Sequence, residues 1–206
     1  MAIVNVYING FNLYYGAVKG SPYKWLDLSA LCRHMLPNDT IQSIEYFTAT
    51  VSARPNDPDL PVRQHIYLRA LRTIPNISIC YGHFLTHSVP MILTGSKPIQ
   101  KVWVDKTEEK GSDVNIAAHL LHEAYQKKFE TAVLVTNDSD LVEPVRIVRR
   151  SLNIPVGILN PQKHHSAALK TEATFMKRIR QADVAACQFP TIMRDAKGQF
   201  HKPTTW

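Results

Sequence analysis

Two hydrophobic periods alternate along this chain, and that alternation narrows its folds more than any other feature. AIVNVYI, IQSIEYFTATV, NISICYGHFL, TAVLVTN and IPVGILN are short apolar runs rich in β-branched or aromatic residues and read as strands. Between them, apolar residues recur at the spacing of one helical face, as Leu28, Leu31, Cys32 and Met35 do in LDLSALCRHML. VRQHIYLRALRTI, GSDVNIAAHLLHEAYQ and DLVEPVRIVRRSL repeat that period, and shorter helical pieces from HSAALKT to RQADVAA close the core. Strand and helix in turn point to an α/β fold, a mainly parallel sheet with helices on both faces.

Two segments depart from the pattern. HSVPMILTGSKPIQKVWV has extended arms around Thr94, Gly95 and Ser96 and reads as a hairpin protruding from a sheet edge. Pro190 to Trp206 lacks periodicity, so composition alone leaves it irregular. A chain of 206 residues buries roughly 70% of its unfolded surface, enough for one domain. We place that domain at 1–189, with 190–206 as a tail that packs on it or extends from it.

The formal charge of +7 and a pI near 9.4 favour an anionic partner, most simply nucleic acid. Cys32, Cys80 and Cys187 are scattered, with no Cys-x-x-Cys pair, which argues against a disulfide framework or a structural zinc site and fits a reducing cytosol. No run of eighteen apolar residues and no basic start before an apolar stretch occurs, so neither a membrane span nor a signal peptide is expected, and the expected location is cytoplasmic.

In open parallel sheets, ligands bind beyond the carboxyl ends of the strands. Asn9 sits at such an end, as do Asp138 and Asp140 after TAVLV, while Asp113 opens a helix on the face it shares with Ala117, Leu120 and Ala124. Each has a plainer role open to it. Asp140 with Glu143 makes a capping box, and Ser112 or Asp113 can cap its own helix. Capping does not explain why all lie on one edge. Two carboxylates about 4 Å apart repel by roughly 4 kcal/mol at an effective dielectric near 20, so such a cluster calls for a cation. All-oxygen ligands suit Mg2+ or Mn2+, which act on phosphate esters.

YINGFNLYYG, KTEEKGSDVN and VTNDSDL, in this order, resemble the NYN domain proteins, a branch of the PIN-like metal-dependent nucleases. The likeness extends through KWLDLSALC, YFTATVSARPNDPDLPVRQHIYLRALRTIP and VGILNP to the closing QFPTIM and KPTTW, as in members of one bacterial subgroup. It implies a Rossmann-like three-layer α/β/α sandwich, an ordered part of the tail, and an acidic cluster that binds Mg2+ or Mn2+ and hydrolyses RNA. The implied catalytic and metal positions are Asn9, Asp113, Asp138 and Asp140, with Asn12 as a polar neighbour. Position 9 departs from the pattern, which has aspartate before GFNLYY. An amide brings no charge and cannot act as a base, so the chain reads as a weakened Asp-to-Asn form; the intact neighbouring motif favours a deliberate change over natural loss.

The expected substrate contacts are Asn12, Arg54, Arg63, Lys106, Lys110, Asn137 and Ser139. Other basic residues, among them Arg69, Arg72, Arg146, Arg149, Arg150, Lys177, Arg178 and Arg180, read first as solvated helix faces. His164 and His165 lie in a loop bordering the site, and His119 and His122 share a helix without a third ligand in view, which argues against a metal there. The leading expectation is an endoribonuclease acting on RNA, with no membrane partner and with a homodimer left open; the alternative is a non-catalytic RNA-binding or regulatory module on the same basic surface.

Overall fold

The computed structural model describes residues 1–206. Six parallel strands form the central sheet in the order β3-β2-β1-β6-β7-β8. They are β1 (Ile3–Asn9), β2 (Thr40–Thr48), β3 (Ile77–Tyr81), β6 (Thr131–Val135), β7 (Val156–Asn160) and β8 (Phe175–Arg178). The crossovers carry α1 (Gly10–Leu13, continuing as a π-helical stretch, Tyr14–Val18), α2 (Leu28–Met35), α3 (Leu60–Leu71), α4 (Ser112–Tyr125), α5 (Val142–Arg146, continuing as a π-helical stretch, Ile147–Ser151) and α6 (Ala167–Glu172). The chain builds outward from β1 to β2 and β3, then from β6 to β7 and β8 on the other side, so its direction of winding switches between β1 and β6.

Strand alternation sorts the core into two layers. Val4, Val6 and Ile8 of β1 pack with Leu28, Leu31 and Leu71 on one face, while Tyr7 joins Phe47, Ile116 and Leu120 on the other. Asn5 and Asn9 share the face of Tyr7, which turns the end of β1 toward α4. Gly10 follows because nothing larger fits: a Cβ there would stand 2.7 Å from the Phe47 carbonyl oxygen and 2.8 Å from the Tyr46 ring.

Three expectations need correction. The region between HSAALKT and RQADVAA is not helical throughout; β8 lies inside it, between α6 and α7 (Gln181–Ala186), and pairs with β7. Four residues are too few to show a period, and Lys177 and Arg178 therefore sit on an edge strand rather than a helix. NISICYGHFL is two strands rather than one, because the chain leaves the sheet at Gly82 and starts β4 (His83–Ile92), which pairs with β5 (Lys101–Lys110) as a separate antiparallel hairpin. That hairpin is ten residues long on each arm and carries the start of KTEEKGSDVN.

The third corrects only the reading from composition, in which the tail is irregular; the resemblance implies an ordered part. The tail forms β9 (Ile192–Asp195) and β10 (Gly198–His201), an antiparallel pair. Its order comes from distant partners that composition hides. Arg69 donates two hydrogen bonds to the Asp195 carboxylate, at 2.7 and 2.6 Å, and lies over the Phe200 ring. Trp25 Nε1 donates to the Pro190 carbonyl, and the Trp206 ring packs edge-on against Trp25 and Tyr67. No helix is long and apolar enough to cross a membrane.

Candidate functional site

The switch between β1 and β6 is where an open parallel sheet leaves a crevice, because the loops on either side diverge. Asn9 ends β1 there, buried, and both ends of its amide are engaged. Its Oδ1 accepts the Asn12 backbone N–H at 3.0 Å, capping α1, and its Nδ2 donates to Asp113 Oδ1 at 2.9 Å across 104 residues of sequence. The amide therefore presents a donor, not an oxygen, to the acids around it.

Asp113 is free to take that contact because it does not cap its own helix. Gly111, at φ 102, is the N-cap of α4, and Glu109 Oε1 accepts both the Ser112 backbone N–H at 3.2 Å and the Ser112 hydroxyl at 2.9 Å. Burial raises the Asp113 carboxyl to about 6, helped by the negative charges of Asp138, Glu109 and Asp140. Asp138 does cap: it accepts the Asp140 backbone N–H at 3.1 Å, while its own N–H donates to Thr136 Oγ1. Asp140 is exposed in the short 3-10 turn Ser139–Leu141, and Glu143 pairs with Arg146 rather than completing a box with Asp140. Capping thus accounts for Asn9 and Asp138 but leaves Asp113 and Asp140 without a structural task.

Sequence reading missed Glu109, the carboxylate within electrostatic reach of Asp113 at the end of β5. Its signal was the run TEEKGSD, which puts an acid four residues ahead of Asp113, but without the hairpin the run reads as solvated charge.

The residues expected to touch substrate divide into two groups. Asn12 and Asn137 serve the frame: Asn12 Oδ1 accepts the Asn137 backbone N–H at 2.9 Å, and the Asn137 side chain ties down the 160–166 loop. Its Nδ2 donates to Gln162 Oε1 and the His164 carbonyl, both at 3.0 Å, and its Oδ1 accepts the Ser166 N–H at 2.7 Å. His164 borders the site through its backbone; His165 is exposed. Ser139 is exposed beside the acids. Lys106 and Lys110 stand on β5, both paired with Glu108, at 2.5 and 3.1 Å. Arg54 and Arg63 lie on the other side of α1, where Arg63 holds Asp57 through Nη2 at 2.6 and 2.5 Å and its buried Nε has no partner.

Those two arginines belong to a feature that sequence reading also missed, a cavity of about 500 Å3 between α1, α3 and the last residues of the chain. Tyr14, Tyr46, Tyr67 and Trp206 are among its walls, with Arg54 and Arg63 at one side. Gly10 and Phe11 line it too, so α1 borders the cavity directly after Asn9. On the acid side of the sheet, His119 does have neighbours of ligand type, Glu45 and Cys80, contrary to the expectation that none would be in reach. The partners come from β2 and β3, and no local motif announces them.

A family model described as NYN domain matches residues 3–178. The 6-hydroxy-3-succinoylpyridine 3-monooxygenase HspA of Pseudomonas putida is 29% identical over an alignment that spans 98% of this chain and 74% of that protein. A solved Vibrio parahaemolyticus protein of unknown function superposes with a TM-score of 0.55 at 16% identity, over 86% of this chain and 93% of that one, a likeness of fold alone.

Proposed function

We propose, from the premise that this chain belongs to the NYN domain family within the PIN-like nuclease superfamily, that it is a metal-dependent endoribonuclease weakened at Asn9. The observation that carries this reading is the contact between Asn9 and Asp113, whose carboxyl burial raises to about 6 with the nearby charges of Asp138, Glu109 and Asp140 adding to the rise. A positive ion facing these carboxylates would offset their mutual repulsion. The donors are all oxygens, a set that fits Mg2+ or Mn2+. Asp113, Asp138 and Asp140, whose oxygens do not all lie within 4.8 Å of one another, would hold the ion in part through its bound waters, and it would supply positive charge for phosphoryl oxygens and make a bound water more acidic.

The chain's own groups have distinct tasks in this reading. Asp140, exposed at the mouth, orients the attacking water; Asn12 and Asn137 hold α1 and the 160–166 loop in register; Lys106, Lys110 and Ser139 meet the backbone of the RNA. Asn9 supplies neither charge nor base, and its N–H donates to one Asp113 oxygen instead. Loss of one such preorganised group costs roughly a hundred- to a thousandfold in rate. The test is to incubate this chain and its Asn9→Asp variant with labelled single-stranded RNA in Mg2+, Mn2+ or EDTA. Cleavage by the variant in metal, far slower by the starting chain and absent in EDTA, supports the reading. Binding without cleavage by either form refutes it in favour of the non-catalytic RNA-binding module.

A second reading draws on the aromatic cavity and on the name that HspA carries. A pocket walled by Tyr14, Tyr46, Tyr67 and Trp206 with arginines beside it suits a small aromatic acid. Position 3 of that ring carries the succinoyl group, so an oxygenase acting there would form C–OH and break the bond to the side chain, which leaves as an aldehyde; the other atom of O2 goes to water, with four electrons and four protons drawn from a reductant and solvent. Release of the side chain from 6-hydroxy-3-succinoylpyridine with a hydroxylated ring, in air with a reduced nicotinamide and this chain, would favour that activity; an unchanged substrate would remove it.

A further inference from the structure

Six residues along α4 from Asp113, three side chains from three separate elements converge: Glu45 of β2, Cys80 of β3 and His119 of α4, with one donor atom of each within 4.8 Å of the other two. We propose that they form a second metal site, distinct from the acidic cluster and selective for a borderline-soft ion, zinc foremost.

The fold itself brings the three together. β2 and β3 are parallel neighbours in which Phe47 stands opposite Cys80 and Glu45 opposite Ser78, so Glu45, Phe47 and Cys80 share the sheet face that α4 covers. His119 lies six residues after Asp113, about 9 Å along the helix axis, and its ring meets Phe47 edge-on at 5.4 Å between centroids. That distance separates the cluster from the strand-end acids while leaving both on one helix.

Chemistry then separates the two sites. Asp113 and its neighbours offer only carboxylate oxygens, whereas this cluster offers an imidazole nitrogen, a sulfur and a carboxylate. Mixed N/S/O donors suit zinc, and three protein ligands with a fourth position open to water is a common arrangement for it. His119 is 44% exposed, which leaves a way in for the ion.

A second observation concerns Glu45, which is 8% exposed: His119 Nδ1 stands 2.7 Å from its Oε2, and that buried oxygen has no other polar partner. A buried carboxylate that faces a single half-exposed imidazole is stabilised further by a cation. The other acid nearby is no help: Glu123 already takes the Tyr7 hydroxyl at 2.6 Å and Asn5 Nδ2 at 3.0 Å. An imidazolium–carboxylate pair would answer the charge on Glu45 and leave Cys80 a bystander. Zinc engages all three, with the thiol proton released to solvent, and ties the edge strand β3 to the helix that presents Asp113.

The test uses cobalt as a visible stand-in for zinc. Chelator-stripped full-length protein, titrated with Co2+, should develop a thiolate-to-cobalt charge-transfer absorption that saturates at one equivalent and disappears on adding Zn2+. Cys80→Ser and His119→Gln should each abolish it, with circular dichroism confirming that each variant is folded; two positions guard against one variant failing to fold. Asp138→Asn should leave it intact, so loss of the strand-end site does not imitate loss of this one. No charge-transfer band in the unaltered protein, or a band that survives Cys80→Ser, overturns the proposal.

Discussion

Replacing Asn9 by aspartate changes one atom type and reverses the sense of one contact, so its consequence can be worked out in some detail. The Asn9 Nδ2–Asp113 Oδ1 hydrogen bond, 2.9 Å long, becomes an approach of two carboxylate oxygens. At that separation two unit charges repel by about 6 kcal/mol with an effective dielectric near 20. The hydrogen bond to a charged acceptor, worth about 1.5–3 kcal/mol, is lost as well. The cap on α1 survives, because an aspartate oxygen accepts the Asn12 N–H as the amide oxygen does. The pair relieves itself by taking up a proton or turning apart, which caps the net loss in EDTA at about 2–3 kcal/mol. For a chain of this length that is roughly 5–10 °C in Tm. Mg2+ or Mn2+ at millimolar concentration should recover most of it by binding only the folded state, while adding little to the unaltered chain. Thermal melts of both forms, with EDTA and with metal, read this directly. An Asn9→Asp protein as stable as its parent in EDTA, or a metal-induced rise equal in the two, would refute shared ligation.

Two further outcomes follow from the same geometry. The Asp113 carboxyl rises from 3.8 to about 6 on folding, so the folded state binds the proton more tightly than the unfolded. Metal-free stability should therefore fall as pH rises through about 4 to 6, and Asp113→Asn should flatten that slope; urea midpoints across the range measure it, and a slope unchanged by the substitution would contradict the assignment. Asn137→Ala removes three hydrogen bonds to the 160–166 loop, at roughly 1 kcal/mol each, and should cost about 2–3 kcal/mol in urea denaturation together with faster amide exchange at Ser166. A loss under about 0.5 kcal/mol would show that the loop is held by other means.

How much of this was legible in the sequence depends on whether the cause is local. β1, β6 and β7 announce themselves as largely apolar runs and β2 by its β-branched and aromatic residues, and the strand-end position of Asn9 and Asp138 follows from where the apolar runs stop. Asp113 was legible from helical spacing. β8 was not, since four edge residues ending in Lys177 and Arg178 carry no apolar run. The β9–β10 tail was hidden for a different reason: its order rests on Arg69, Trp25 and Tyr67, more than a hundred residues upstream. Glu109 looked like one more charge in TEEK until the hairpin set it beside Ser112. Glu45, Cys80 and His119 meet only because β2 and β3 are neighbours under α4, which no one-dimensional spacing encodes; the cavity between α1, α3 and Trp206 is of the same kind.

The measurement that bears most directly on the site is a manganese titration followed by electron paramagnetic resonance. The account predicts that the Asn9→Asp protein binds Mn2+ more tightly than the unaltered chain, by tenfold or more for about 1.4 kcal/mol of added attraction. Adding Asp113→Asn should abolish that gain, and Cys80→Ser should not touch it. Equal Mn2+ affinity in all of these proteins would mean that the strand-end acids do not act together on an ion.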